Sequence, residues 1–245
     1  MDNKTALIPL GDISAVMCNY ARPKSARSCV KRLKELGLKE IIVWNNGANP
    51  IPEATINLNH AKNKGPIGKY HAALKTSRPY VLIVDDDHLI TGSGLRAFRK
   101  WGLRFPAIAQ NGSIFEPPFT DYNKRVLYRS NTVRRPQRVD MVQPNMGLLI
   151  RTDLYRKLLT HWAWGAQKVI DHRPGIFSTD LEINCAIWDL TKERPVVIPA
   201  EPKGFQKLPD EAPEKALMNQ KGIYNEKSKA LRWLVKNGWQ MLRAR

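Results

Sequence analysis

Three consecutive carboxylates, Asp85-Asp86-Asp87, follow directly on the apolar run Tyr80 to Val84. Adjacent negative charges repel one another, and a divalent cation relieves that repulsion. Hard Mg²⁺ or Mn²⁺ takes one or two carboxylates and completes its shell with phosphate oxygens and water. The competing reading is an acidic turn or a helix cap. Position favours the metal: an unbroken apolar run reads as a strand buried on both faces of a parallel sheet, and ligands of such sheets gather beyond the carboxyl ends of the strands. Arg22, Lys64 and Lys69 fall in loops or helix starts expected at the same edge, where positive charge would steady a phosphate. Gly65-Pro66-Ile67-Gly68-Lys69 hints at a phosphate cradle, although it is not a Walker sequence.

Asp180 opens an apolar segment running to Trp188. An aspartate there is either an N-cap or a group acting on substrate. Trp162 and Trp164, beside His161, offer stacking faces or core packing, and packing is the preferred reading. His60, His71, His88 and His172 have no zinc-ligand spacing, and His88 is expected beside the carboxylates rather than as a ligand.

The elements that must position these groups are legible from periodicity. Ile13 to Cys18 is an apolar run ending at Asn19, and Pro23 opens a helix with Ala26, Cys29, Val30, Leu33 and Leu36 at helical spacing, stopped by Gly37. Glu40 to Trp44 is a second strand, followed by the turn Asn45-Asn46-Gly47, and a third lies near Thr55 to Leu58. Gly65 to Lys75 reads as a turn and helix ahead of the strand Tyr80 to Val84. This β-α-β-β-α-β order predicts an α/β fold, a Rossmann-like open sheet flanked by helices, in one domain over residues 1–245. Farther on, residues 111–140 are expected as a mobile loop or hairpin, Val142 to Ile150 as a strand, Asp153 to Leu159 and Asp180 to Trp188 as helices, and Val196 to Ile198 as a last strand. Residues 212–245 read as a basic helical segment with Leu231, Leu234, Val235 and Trp239 on one face.

Val43-Trp44-Asn45-Asn46-Gly47 and Val81-Leu82-Ile83-Val84-Asp85-Asp86-Asp87, with the order of elements between them, resemble the exostosin family of GT-A glycosyltransferases. Thr179-Asp180-Leu181-Glu182-Ile183-Asn184 resembles that family's acidic helix start, and Tyr224-Asn225-Glu226-Lys227-Ser228 its closing segment. The resemblance implies a GT-A fold and transfer of a sugar from a nucleotide diphosphate, with UDP as the nucleotide, assisted by Mn²⁺ or Mg²⁺. It implies that Arg22 contacts the nucleotide, that Asn45 or Asn46 lies on the uracil side, and that Asn63 and Lys69 face the nucleotide, Lys69 standing where the family has arginine. Asp85 and Asp86 would then lie at the donor, Asp85 facing ribose and metal, and Asp87 would be the principal metal ligand. Asp180 would stand beside the donor sugar and acceptor hydroxyl, and Lys227 would reach the diphosphate. In such a reaction negative charge develops on the departing diphosphate, which a metal and cations stabilise. An inverting enzyme needs a base on the acceptor hydroxyl, whereas a retaining one can use the leaving phosphate; the resemblance favours retention.

Charge bears on the acceptor. Forty Lys and Arg against 22 Asp and Glu leave +18 in 245 residues, an excess too large for one anion pocket. Nucleic acid, an anionic membrane or an acidic glycan are the partners it suits, and DNA is preferred. Arg125, Arg129, Arg134, Arg135 and Arg138 cluster in 111–140 and are expected to bind it, together with the basic residues from Lys227 to Arg245. A hydroxylated base in DNA would supply the acceptor hydroxyl, as in phage-type DNA glycosyltransferases. Two alternatives stay open: transfer to a glycan or lipid-linked acceptor at a membrane surface, where a basic amphipathic C-terminus would bind headgroups, and a non-catalytic nucleic-acid-binding module with a structural acidic triplet. The cysteines Cys18, Cys29 and Cys185 are odd in number and lack ligand spacing, which predicts reduced thiols and a cytoplasmic setting, the host's if the protein is viral. Met1 to Asp12 does not read as a signal peptide, and no run approaches the roughly 18 apolar residues of a membrane span.

Overall fold

The computed structural model describes residues 6–170, 178–200, 203–209, 211–216 and 219–242. Met1, His172 and Arg245, named above from the sequence, lie outside them.

The first half of the chain runs β1 (Ile13–Asn19), α1 (Pro23–Glu35), β2 (Glu40–Asn46), β3 (Ile56–His60), α2 (Ile67–Ala72) and β4 (Tyr80–Ile83), as the periodicity predicts. These strands are parallel neighbours in the order β3-β2-β1-β4. Alternate residues serve opposite faces, the two-residue period of a strand. Val16, Ile42, Val81 and Ile83 join one core, and Ala15, Met17, Ile41, Val43 and Leu82 join the other beneath α1. Because both faces are covered, β1, β2 and β4 read as apolar runs, whereas the edge strand β3 alternates apolar and polar residues and is only partly buried. β2 lies on one side of β1 and β4 on the other, so winding reverses at β1. A crevice opens there beyond the carboxyl ends of the strands.

The second half contains β5 (His88–Ile90), α3 (Gly92–Trp101), β6 (Ala107–Ala109), β7 (Asn111–Phe115), β8 (Arg125–Arg129), β9 (Gln137–Arg138), β10 (Met141–Val142), β11 (Leu148–Arg151), α4 (Thr152–Leu158), α5 (Thr179–Thr191), β12 (Val196–Val197), β13 (Phe205–Lys207) and α6 (Ile223–Lys236). The main sheet continues β4-β11-β6-β12-β9, with β11 antiparallel to both neighbours, so the sheet is mixed. A three-stranded sheet β10-β7-β8 and a two-stranded ribbon β13-β5 flank it.

Several boundaries differ from those expected of the sequence, for physical reasons. Residues 111–140 contain the hairpin β7–β8, with Asn111 opposite Arg129 and Phe115 opposite Arg125. The run Val142 to Ile150 is two strands, not one. Pro144 has no N–H to donate, and Gly147 sits at φ +92°, where a Cβ would also meet the Phe98 ring at 2.8 Å. Periodicity does not announce the α3 helix, since glycines at 92 and 94 weaken its signal, but the Thr91 hydroxyl caps it by accepting the Gly94 N–H at 3.1 Å.

The expected helical segment 212–245 contracts to α6. That helix buries Lys227, Leu231 and Leu234, and Trp239 beyond it is also buried. The apolar residues that a membrane-binding C-terminus would need at a lipid surface are therefore inside the core. No helix among the described residues is long and apolar enough to cross a membrane. Cys18, Cys29 and Cys185 are unpaired. The Trp164 indole donates to the Leu158 carbonyl at 2.7 Å and its ring packs against the core, as expected, whereas Trp162, which donates to Asp189 at 2.8 Å and lies beside the Trp233 ring of α6, remains 38% exposed.

Two tests follow from this packing. Gly68 lies against the Trp44 indole so closely that a Cβ would stand 2.3 Å from it. Gly68→Ala should destabilise the fold by about 1–3 kcal/mol, the usual cost of overpacking, read as a lower denaturant midpoint. Glu182 of α5 is fully buried, accepts from Ser178 at 2.8 Å and from Gln167, and burial pushes its carboxyl from 4.5 up to about 8. The folded state then holds the proton more tightly than the unfolded chain. Its contribution is present below pH 4.5 and lost as the pH rises to about 8. Unfolding of wild type and Glu182→Gln across that window should show the wild type losing stability relative to the variant; parallel curves would contradict the assignment.

Candidate active site

Three loops meet at the crevice. The first leaves β1 as Tyr20-Ala21-Arg22, the second runs from the end of β2 through Asn63 to Lys69 of α2, and the third is Asp85-Asp86-Asp87 after β4. Arg22 donates to Asp86 at 3.2 Å and to Asp87 at 3.1 Å. Lys69, 4% exposed, pairs with Asp85. The side chains of Asp86 and Asp87 are 13% and 17% exposed, whereas Asp85 is 33% exposed.

This crowding sets the charge states. Burial, then the neighbouring Asp85 and Asp87 charges, push Asp86 up to about 7 against the pull of Arg22. Burial also pushes Asp87 upward, but the His88 hydrogen bond and charge, with Arg22 and Lys207, outweigh it and hold Asp87 below its ordinary value. His88 Nδ1 lies 2.6 Å from Asp87 Oδ1, the neighbour expected of it. Burial disfavours the Lys69 cation, yet Asp85 and Asp180 outweigh burial and raise its pKa. Lys69 stays charged.

Two cavities share this floor. The smaller, about 470 Å³, is lined by Tyr20, Arg22, Asn46, Asn63, Lys69 and Asp86 among others. The larger, about 810 Å³, includes Asp85, Asp87, Asp180 and Lys227. Arg22, Pro66, Lys69, Asp85 and Ala216 border both. Both volumes fall within the range of small-ligand sites.

Of the two asparagines expected at the base, Asn46 lines the smaller cavity. Its side chain also fixes the wall, accepting from the Trp44 indole at 2.8 Å and the Lys64 N–H at 2.9 Å and donating to the Gly65 carbonyl at 3.1 Å. Asn45 lines neither cavity. It sits in a ladder, accepting from Asn19 at 2.9 Å and donating to Asn57 at 2.9 Å and Asn59 at 2.8 Å, which occupies its amide. Asn63 accepts from the Gly65 N–H at 2.7 Å, tightening the turn before α2.

Asp180 lies in the first turn of α5, where Ser178 is the cap position, so the aspartate is not an N-cap. Tyr70, buried beside Lys69, donates to its Oδ1 at 3.2 Å, and Lys227 stands 3.7 Å from Oδ2. Lys227 in turn contacts the Tyr122 hydroxyl at 3.3 Å. Neither Tyr70 nor Tyr122 is singled out by the sequence. A buried tyrosine hydroxyl requires a partner, but nothing in one dimension couples Tyr70 to a residue 110 positions away.

The five arginines of 111–140 do not converge. Arg129 lines the larger cavity. Arg125 is half-buried, donates to the Tyr122 carbonyl and stacks on the Tyr122 ring at 3.9 Å. Arg134, Arg135 and Arg138 are exposed and line neither cavity, Arg138 lying on β9 at the margin of the main sheet. The larger cavity instead draws cations from a segment without a sequence motif, Lys203 and Lys207.

Among the described residues no cluster of three or more His, Cys, Asp or Glu side chains is set to hold a metal ion. Asp85 and Asp87 are a pair of hard oxygen donors bordering one cavity. Such a pair fits Mg²⁺ or Mn²⁺, which need only one or two carboxylates when substrate phosphates complete the shell.

No family model and no curated protein matches the chain. Its structure is similar to that of S. aureus TarS residues 1–349, with a TM-score of 0.52 and 13% sequence identity over 80% of this chain and 60% of that one. The same portion of TarS in complex with UDP gives 0.52 and 13% over 81% and 61%. The chain thus spans about three fifths of the length of those TarS structures. The likeness is one of fold: the GT-A class expected from the sequence is present, and the exostosin family is not singled out within it.

Proposed function

We propose that the protein is a glycosyltransferase that moves a sugar from a UDP-type nucleotide diphosphate donor onto a hydroxyl group of a nucleic acid, a hydroxylated base in DNA being the first choice. The observation that carries this reading is the meeting of Arg22, Lys69, Asp85, Asp87 and Asp180 around two joined cavities at the switch point of a GT-A fold. TarS, similar in fold, has been solved with UDP, which supports a nucleotide in the smaller cavity.

In this reading Asn46 and Asn63 shape the wall for the base, and Arg22 and Lys69 lie between the cavities, where a diphosphate would join nucleoside to sugar. Both cations are already held by carboxylates, so little reorganisation is needed when phosphate arrives. Asp87, with Asp85, would hold Mn²⁺ or Mg²⁺, which supplies Lewis-acid stabilisation of the departing diphosphate. Asp180 borders the larger cavity, where Tyr70 and Lys227 fix its carboxylate for a hydrogen bond from the acceptor hydroxyl. That bond draws electron density onto the attacking oxygen. With inversion Asp180 also takes the proton, whereas with retention the leaving phosphate does. The net charge of +18 supports a polyanionic acceptor, and a cytoplasmic enzyme acting on DNA accords with three free thiols.

Calorimetry with UDP, with and without Mn²⁺, is the direct test. Binding strengthened by Mn²⁺ is expected, and no binding under either condition would overturn the reading. Asp87→Asn should remove the Mn²⁺ enhancement in a protein that still unfolds cooperatively. Near-normal Mn²⁺-dependent turnover in that variant would eliminate Asp87 as the ligand. Asp180→Asn should lower single-turnover transfer to hydroxymethylated DNA by about a hundredfold or more, on the scale of groups that act on the reacting oxygen. A collapse of UDP affinity with an intact single-turnover rate would make Asp180 a donor-binding residue instead.

A further inference from the structure

The larger cavity has a wall quite unlike its acidic floor. β13 pairs antiparallel with β5, Lys207 opposite His88 and Phe205 opposite Ile90. The Leu208 N–H donates to the Asp87 carbonyl at 2.9 Å, tying one end of this ribbon to the carboxylate loop. At the other end the Thr91 and Ser93 hydroxyls donate to the Lys203 carbonyl, at 2.5 and 2.9 Å. Phe205 and Lys207 share a face of the strand, two residues apart, and Lys203 lies two residues before Phe205. All three line the cavity, and Gln206 between them does not. Arg129, at the end of β8, adds another cation to the same cavity.

These cations differ from those of the floor. Arg22, Lys69 and Lys227 each face a carboxylate. Lys203, Lys207 and Arg129 are exposed and make no ion pair with a described residue, although the Lys207 charge acts on Asp87 from a greater distance. None of them lines the smaller cavity, where the nucleotide is placed. Cations flanking a partly exposed aromatic ring are the chemistry that holds single-stranded nucleic acid, phosphates on the cations and a base against the ring. An uncharged glycan has no use for such cations.

We propose that the β5–β13 ribbon is the acceptor platform: Lys203, Lys207 and Arg129 take successive phosphates of a single nucleic-acid strand and Phe205 stacks on a base, which delivers the acceptor hydroxyl toward Asp180. The proposal rests on the transferase reading above and names its acceptor as an unpaired strand. An unpaired strand presents its base without the unstacking and unpairing that a duplex requires. It also explains why a cationic strand is hydrogen-bonded directly to the acidic loop: the polyanion is led to the transfer site along a strand anchored to that loop.

The test is a titration without any sugar nucleotide. A fluorescent single-stranded oligonucleotide containing 5-hydroxymethylcytosine, and its duplex, are titrated with the full chain across a salt series, while UDP affinity is followed by calorimetry. The wild type should bind the single strand more tightly than the duplex. Lys203→Gln/Lys207→Gln/Arg129→Gln should flatten the slope of log K against log salt by about 2, roughly 0.7 for each single-strand phosphate that is no longer neutralised. Phe205→Leu should weaken single-strand binding about tenfold, and Phe205→Trp should restore it, because every base stacks on an aromatic face. An unchanged slope in the triple variant overturns the proposal. So does an equal loss of UDP affinity, which would assign the cations to the donor. Binding to phosphatidylserine vesicles without binding to the oligonucleotide would overturn it in favour of a membrane-surface acceptor. Loss of UDP binding in the wild type would instead sink the transferase reading and leave the oligonucleotide titration fully readable.

Discussion

Three negative charges crowded at the rim of a buried sheet are the constraint on which the site depends. Asp85, Asp86 and Asp87 cannot all remain ionised there unless cations are brought to them, and the nearest in space come from distant parts of the chain. Arg22 is carried in by the turn after β1 and Lys69 by the first turn of α2. Removing one partner from such a group leaves its buried counter-charge uncompensated, which costs far more than a surface pair contributes. The ion pairs therefore fix the positions of two loops relative to the carboxylates, and the cavity outlines follow from those positions.

Lys69 reaches Asp85 only because α2 packs hard against β2. The close approach of Gly68 to Trp44 permits this, and the stacking of Trp44 on His60, with ring centroids 3.6 Å apart, holds the indole in place. Asn46 ties the same indole to the Lys64–Gly65 turn. Packing, polar satisfaction and charge thus act on a single segment, residues 63–69, and align it with the end of β4. The asparagine ladder of Asn19, Asn45, Asn57 and Asn59 stiffens the adjoining strand ends without lining either cavity. A buried polar network of this kind resists rearrangement because the alternatives leave amides unpaired.

Electrostatics divide the crevice. Its floor holds carboxylates already matched with cations, and the ribbon wall holds cations that form no ion pair with a described residue. In the transfer proposed above, matched charges at the floor would provide a preorganised setting for charge moving onto a leaving group. The cations of the wall would attract the proposed polyanionic acceptor before any chemistry begins. The total of +18 cannot make this distinction, since it counts Arg134, Arg135 and Arg138 equally with Lys203 and Lys207.

By itself the sequence determined the parallel half of the sheet and the acidic loop. Buried parallel strands must be continuous apolar runs, Pro23 and Gly37 bound a helix by backbone chemistry, and three adjacent aspartates after such a strand have few stable settings. These are local rules, read within one element and its ends. The antiparallel insertion of β11, the split of 142–150 between two sheets and the core role of α6 depend on which surfaces meet, and periodicity does not encode direction or partner. The same limit separated the site residues. Asp87 is visible through its neighbours in the chain, and Asp180 through a motif. Tyr70, Tyr122 and the Lys203–Phe205–Lys207 face acquire their places only when α2, the 111–140 hairpin and β13 fold against the carboxyl ends of β1 and β4, because hydrogen bonding and charge matching act through space over a few ångströms, whatever the separation along the chain.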